Sequence, residues 1–258
     1  MGSPKTIPMP FALQAAGLTD VGCVRERNED AFLADAEGGI FIVADGMGGR
    51  RGGDVAARLA VESIQEFIRG RFEAGSVPPL ADISGVLGML EDAVMAASGA
   101  IRNEGGRNME HFGMGAAVVA ALVVGSHVHV AHMGDSRAYL SRRGGFEQLS
   151  QDHSIVGALL RHGEISPAEA ENHPARGRLS RFVGMESFMG PAMRAVELSS
   201  GDRLMLCTDG LWGMVGDMEM AGILSRSNDC EVTCRALIEA GRAAGGEDNL
   251  TAVVVDVW

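Results

Sequence analysis

From Ala116 to Val124 the chain reads AAVVAALVV, nine apolar residues with no polar interruption. A strand with one wet face alternates apolar and polar residues, so an unbroken run marks a strand covered on both faces. The segment Phe41-Ile42-Val43-Ala44 reads the same way. Whatever else the chain forms, it must place material on both sides of these strands.

Strands are expected at Ile40–Ala44, Ala116–Val124, Val128–Met133, Arg203–Cys207 and Ala252–Val257, with a weaker one at Arg137–Ser141 ending at Gly144-Gly145. Gly125-Ser126-His127 makes a hairpin-like break between the second and third. Helices are expected over Asp54–Arg71, where Ala57, Val61, Ile64 and Ile68 recur at three- and four-residue spacing, and over Ile83–Arg102, Ile155–Arg161 and Cys230–Ala243. Ser166-Pro167-Ala168-Glu169 has the pattern of a capped helix start. Strands come in runs with helices inserted as pairs, which favours an α+β sandwich over a doubly wound sheet.

At 258 residues the chain can bury a full core, and with one Tyr, two Trp and nine Phe that core relies on aliphatic residues and Met. The net charge of −12 argues against general nucleic-acid binding, which needs a basic surface. Cys23, Cys207, Cys230 and Cys234 lack the spacing of a zinc site, and sparse thiols suit a reducing compartment. No stretch reaches the roughly 18 apolar residues of a membrane span. Pro4, Pro8 and Pro10 indicate a loose leader over residues 1–13, without the pattern of a signal peptide. The expectation is a soluble, cytoplasmic monomer with one domain over residues 14–258.

The acids are placed unusually. Asp45 in VADGMGG, Asp135 in MGDSRAY, Asp209 in LCTDGLWG and Asp248 in GGEDNLTAVVV each fall at the end of an apolar strand or beside a glycine turn. Glu29 and Asp30 in RERNEDAF make a fifth point. A carboxylate at the mouth of a buried strand is costly unless it is paired or metal-bound. Singly, each has a structural explanation: Asp-Gly is a common turn dipeptide, Asp135 could pair with Arg137, and Asp248 could cap a turn. Five together point to hard oxygen donors for Mg²⁺ or Mn²⁺.

In order along the chain, TDVGCVRERNEDAF, FIVADGMGG, HMGDSRAYL, LSQDHSIV, GEISPAEAENHPARGRLSR, LCTDGLWGMV and GEDNLTAVVV resemble the metal-dependent protein phosphatases of the type 2C class in their bacterial form. The resemblance implies a four-layer α-β-β-α sandwich with two central, mainly antiparallel sheets. It implies that Asp45 bridges two metals, that the Gly46 carbonyl binds one, and that Asp209 and Asp248 complete the first site. Glu29 and Asp30 would hold the second metal directly or through water, and Asp135 would help Asp209 bind a weaker third. Arg25, with Arg27 as the nearby alternative, would grip the substrate phosphate. Asn249 would orient the Asp248 loop. The implied reaction is hydrolysis of phosphoserine or phosphothreonine in proteins by metal-activated water, with no covalent enzyme intermediate. The implied substrates are phosphoproteins of a cognate serine/threonine kinase.

Three departures accompany the resemblance. Animal members often carry His where this chain has Met47, so the leaving-group acid would be a metal-bound water or a side chain such as His153, which also reads as a structural histidine. Two threonines usual in the family are Ala116 and Ala117 here. A variable flap is expected over 157–193, where Arg161, Arg176, Arg178 and Arg181 are either a docking surface for acidic phosphopeptides or a solvated face. The competing classes are a phosphoprotein-binding domain without turnover, disfavoured by the intact Asp45, Asp209 and Asp248, and a nuclease, disfavoured by the acidic charge.

Overall fold

The computed structural model describes residues 9–48, 52–186 and 189–258. Ten strands, β1 (Leu13–Asp20), β2 (Asp30–Asp35), β3 (Ile40–Met47), β4 (Gly115–Val124), β5 (His127–Met133), β6 (Arg137–Arg142), β7 (Gly145–Gln148), β8 (Ala192–Glu197), β9 (Arg203–Cys207) and β10 (Leu250–Val257), form two five-stranded sheets. Their orders are β1-β10-β9-β6-β7 and β2-β3-β4-β5-β8, and every named pairing is antiparallel.

The unbroken apolar runs are sorted by the two-residue period of a strand. In β3, Ile40, Ile42 and Ala44 face one core while Phe41 and Val43 face another. In β4, Val118, Ala120 and Leu122 share the first core, and Val119, Ala121 and Val123 the second. The second core is the seam between the sheets, completed by Leu204, Leu206, Val253 and Val255. The first is roofed by α1 (Gly53–Glu73) and α2 (Ile83–Arg107), through Ala57, Ile64 and Ile68 of α1 and Leu90, Val94 and Ile101 of α2. A third core lies under α5 (Asp209–Trp212), α6 (Asp217–Leu224) and α7 (Cys230–Ala243), where Leu237 and Ile238 meet Met205, Cys207 and Val254. Helix, sheet, sheet, helix is the expected four-layer sandwich. Each fully buried Val, Leu or Ile contributes about 1.5–3 kcal/mol.

By length and mean hydropathy α2 could cross a membrane, but its Val86, Leu90, Val94 and Ile101 are buried against α1 and the sheet, as in a core helix. The paired-helix expectation needs one correction, because three helices, not two, separate β9 from β10. Between β7 and β8, across the segment expected as a flap, the chain carries α3 (Ile155–His162) and α4 (Pro167–Glu171). Residues 187 and 188 of that flap lie outside the described residues. At α4 the Ser166 hydroxyl accepts from the Glu169 amide while the Glu169 carboxylate accepts from the Ser166 amide, so the expected capped start takes the form of a capping box. The first eight residues of the expected leader also lie outside the described residues. Ala12 already exchanges two backbone hydrogen bonds with Trp258, and Phe11 packs on the inter-sheet core, so the sheet is braced before residue 13.

Candidate metal centre

Antiparallel pairing puts the start of β2 beside the end of β3, with Asp30 directly opposite Asp45. The same end of the sandwich receives Asp209, first residue of α5 after β9, and Asp248, two residues before β10. Asp135 arrives on the β5–β6 turn, where Gly134 takes a φ of 118°. A side chain on Gly134 would also strike the Ala117 methyl, so the turn is pressed against β4. Glu29, Asp45, Gly46, Asp135, Asp209 and Asp248 line one cavity of about 830 Å³, together with Arg25, Arg27, Met47, Leu179 and Phe182.

Among the described residues, charge at this end is poorly compensated. Burial holds the Asp45 carboxyl well above the usual carboxylate range, with repulsion from Asp209 and Asp30 adding to it. Burial, then Asp209 and Asp152, raise Asp135 in the same way. Asp209 is raised by burial and by Asp248, although a hydrogen bond with Asp45 and the Gly210 amide oppose the shift. Burial pushes Asp30 up to about 7 against the hydrogen bonds of Thr251 and Thr208. Glu29 is raised by burial and by Asp54. Among the described residues the opposing cation in direct contact is Arg25, whose Nη2 donates to Asp248 Oδ2 at 2.7 Å.

Close backbone approach explains the glycines. A Cβ on Gly46 would lie 1.9 Å from the Gly53 carbonyl oxygen, and one on Gly210 2.0 Å from the Asn249 carbonyl oxygen. The first joins β3 to the start of α1, and the second joins α5 to the Asp248 loop. Asn249 ties that loop to the β1–β2 connection: its side-chain amide donates to the Val21 and Arg27 carbonyls, and its Oδ1 accepts from the Glu29 amide.

The donors are all hard oxygens, which suit Mg²⁺ or Mn²⁺. Among the described residues no three acidic, imidazole or thiol groups are already gathered as one ligand shell. That suits ions that keep several waters and take few carboxylates each. Asp30 stands apart from the cavity wall: Oδ2 accepts from Thr208 and Thr251, while Oδ1 is buried with no hydrogen-bond partner among the described residues. An orphaned carboxylate oxygen beneath an acidic cavity fits a cation-binding role.

Other expectations fall elsewhere. Arg137 does not pair with Asp135; its guanidinium takes Asp152 through both Nε and Nη2, at 2.9 and 2.7 Å, and stacks on Trp212. A bidentate partner from the QDHS segment outcompetes a sequence neighbour held on a turn. His153 is buried, stacked on His132 at 4.7 Å, and burial lowers it to about 3. It stays neutral away from the cavity lining, the structural reading. Of the flap arginines, Arg161 donates to the Asp152 carbonyl and Arg181 to the Gly190 carbonyl, whereas Arg178 is exposed. Arg176 reaches toward Gly213 after α5. Sequence reading passed over Thr208 and Thr251, each inside a quoted motif, and the apolar wall of Leu179 and Phe182.

The protein phosphatase 2C family matches residues 24–250. The serine/threonine phosphatase stp of Listeria innocua is 36% identical over 241 residues, covering 92% of this chain and 93% of that one. A crystal structure of the Mycobacterium tuberculosis serine/threonine phosphatase PstP/Ppp is similar with a TM-score of 0.82 at 34% identity, covering 95% of this chain and 98% of that one. The catalytic domain of PstP in complex with two manganese ions gives a TM-score of 0.83 at 32% identity, over 96% and 99% of the two chains.

Proposed function

The chain belongs to the protein phosphatase 2C family and is a protein serine/threonine phosphatase, and on that footing we propose that its acidic cavity is the metal centre that drives phosphate-ester hydrolysis. Asp45, the Gly46 carbonyl, Asp209 and Asp248 would hold one divalent ion. Asp45 with Glu29 and Asp30 would hold a second, and Asp135 with Asp209 a weaker third. Mg²⁺ and Mn²⁺ both suit the donors, and the relative solved with two manganese ions supports the count of two. When bound, such ions neutralise the phosphoryl oxygens as Lewis acids and lower the pKa of a coordinated water.

The observation that carries this reading is the convergence of Asp45, Asp135 and Asp209, all raised by burial and by neighbouring aspartates, on a cavity where, among the described residues, Arg25 is the cation touching an acid. The chain's own groups divide the work. β3, α5 and the Asp248 loop bring the carboxylates to one cavity, where a bound ion would draw them into its ligand shell. Arg25, exposed on the cavity wall, offers a planar fork of donors to the phosphoryl group, and Arg27 lines the same wall. Leu179 and Phe182 give the mouth an apolar side against which a peptide backbone can lie. Met47 cannot supply a proton, and His153 is held neutral outside the cavity. Protonation of the leaving serine or threonine oxygen is therefore assigned to solvent inside the cavity.

The proposal extends to a monomeric cytoplasmic enzyme in signal transduction, opposing a serine/threonine kinase. All four cysteines are free thiols, which suits a reducing compartment. The test is phosphate release from a phosphothreonine peptide in Mn²⁺, Mg²⁺ or EDTA, beside an Asp209→Ala control. Turnover that needs metal and is lost in the control is expected. Turnover undiminished by EDTA, or retained in Asp209→Ala, would overturn the assignment of the site.

A further inference from the structure

Beneath the cavity floor lies a closed ring of hydrogen bonds whose direction is fixed by counting protons. The Asp30 amide donates to Asn28 Oδ1 at 3.1 Å, and Asn28 Nδ2 donates to Thr19 Oγ1 at 2.8 Å. Thr19 and Thr251 hydroxyls meet at 2.7 Å, and Thr251 reaches Asp30 Oδ2 at 2.6 Å. Each hydroxyl has one proton. That of Thr251 goes to Asp30, so Thr19 must donate to Thr251. The ring leaves the Asp30 backbone and returns to the Asp30 side chain in one direction.

A second hydroxyl enters from the other side. Thr208 Oγ1 donates to the same Asp30 oxygen at 2.9 Å and itself accepts from the Thr251 amide at 3.2 Å. Both donors therefore converge on Oδ2, and Oδ1 is left without a partner among the described residues. The contributors sit on the segments that carry the other acids: Thr208 adjoins Asp209, Thr251 is three residues after Asp248, and Asp30 faces Asp45 across the ladder. Two donors aimed at one oxygen suit a carboxylate anion and fix the plane of its carboxyl group.

We infer that Thr208 and Thr251, with Thr19 and Asn28 behind them, are positioning residues that lock Asp30 with one oxygen free toward a divalent cation. This inference rests on the metal-centre reading above and assigns the clamp that reading lacks. Removing a hydrogen-bond partner that orients a metal ligand typically lowers metal affinity about 10–100-fold. Neither threonine lines the cavity, so the effect falls on metal binding first.

The experiment is Mn²⁺ titration by calorimetry, with the melting temperature measured in EDTA and in Mn²⁺, on wild type, Thr208→Val, Thr251→Val and Thr251→Ser. Valine keeps the shape and removes the donor; serine keeps the donor. Expected is a rise of about 10-fold or more in the Kd of one class of Mn²⁺ sites for each valine variant, a matching loss of metal-induced melting shift, and near wild-type binding for Thr251→Ser. Valine variants that fold and bind Mn²⁺ as wild type does would overturn the inference while leaving the metal centre standing. So would a serine variant as impaired as the valine one. Should neither valine variant fold, Thr19→Ala decides, since it releases the acceptor side of Thr251: weakened Mn²⁺ binding supports the clamp and unchanged binding overturns it. Wild-type protein that takes up no Mn²⁺ would overturn this inference together with the reading beneath it.

Discussion

The β9–β10 pair carries charge at both ends and treats it in opposite ways. At one end Arg203 and Asp256 face each other in register. The guanidinium takes both carboxylate oxygens, through Nε and Nη2, and its Nη1 donates to the Leu224 and Ser227 carbonyls. Both residues are buried and both charges are met. At the other end the same strands deliver Asp209 and Asp248 to a cavity already holding Asp45 and Asp135, with Arg25 as the touching cation. The fold is able to neutralise a buried charge on these strands, and at the Arg203–Asp256 end it does so. Among the described residues the acidic end is left without such a partner, which is what the proposed metal centre requires.

Substitutions at the two ends should separate activity from stability. Asp209→Asn is expected to cut turnover by more than about 10²-fold, at least the loss from removing one electrostatic contact to developing charge. Its melting temperature in EDTA should equal or exceed wild type, because a repulsive neighbour of Asp45 and Asp135 is gone. Asp256→Ala should do the reverse, costing about 3–5 kcal/mol by leaving Arg203 buried and unpaired, with kcat of the folded fraction unchanged. Urea unfolding and steady-state assays on both variants check this. An Asp209 variant that destabilises as strongly as Asp256→Ala would break the contrast.

A pH series in EDTA gives a smaller and more diagnostic effect. Asp30 has a folded pKa of about 7 against 3.8 when unfolded, and Asp45, Asp135 and Asp209 move in the same direction. Between those values the folded state binds more protons than the unfolded one. Metal-free stability contributed by these acids therefore falls as pH rises from about 4 to about 7. His153, lowered to about 3, and His132, lowered by burial, work the opposite way below 6.5. The difference between wild type and Asp30→Asn cancels the histidines. The advantage of Asp30→Asn in EDTA should grow from pH 4 to pH 7, as read by thermal melts. Saturating Mn²⁺ should abolish that advantage, since bound ions need the carboxylates ionised. A flat difference in EDTA would show that Asp30 binds its proton alike in the folded and unfolded chain.

What could be read from the sequence follows the same division between what is buried and what is paired. The six strands found by their apolar runs are the interior strands of the two sheets, β3, β4 and β5 in one and β6, β9 and β10 in the other. The four that escaped, β1, β2, β7 and β8, are the four sheet edges, where half-exposed stretches such as LQAAGLTD and AMRAVE need no unbroken run. The acids were visible because a carboxylate at the mouth of a buried strand is conspicuous. Thr208 and Thr251 were not, because threonine is at home in strands and nothing local says that two hydroxyls will converge on Asp30. Likewise Arg137 was read with Asp135 two residues away, whereas the fold brings it Asp152, a partner fifteen residues on.

Arg25 offers the smallest change in stability and a sharp test of what the acidic end is for. Its contact with Asp248 has the geometry of a good ion pair, 2.7 Å, yet the two side chains are 56% and 38% exposed. An exposed pair contributes less than about 1 kcal/mol, because water and salt screen it and two long side chains must be held still. If Arg25 were there to offset the repulsion, as Arg203 offsets Asp256, its loss would be felt in folding. If it is there for the phosphate, Arg25→Ala should melt within a few degrees of wild type while kcat/KM for a phosphopeptide falls by about 10-fold or more, a charge-assisted contact contributing roughly 1.5–3 kcal/mol. Arg25→Lys should recover only part, since an ammonium cannot reproduce the planar fork. Parallel measurement on Arg27→Ala assigns the role between the two arginines of the cavity wall. A larger loss at Arg27 would move the phosphate contact there and leave Arg25 as the counter-ion of Asp248.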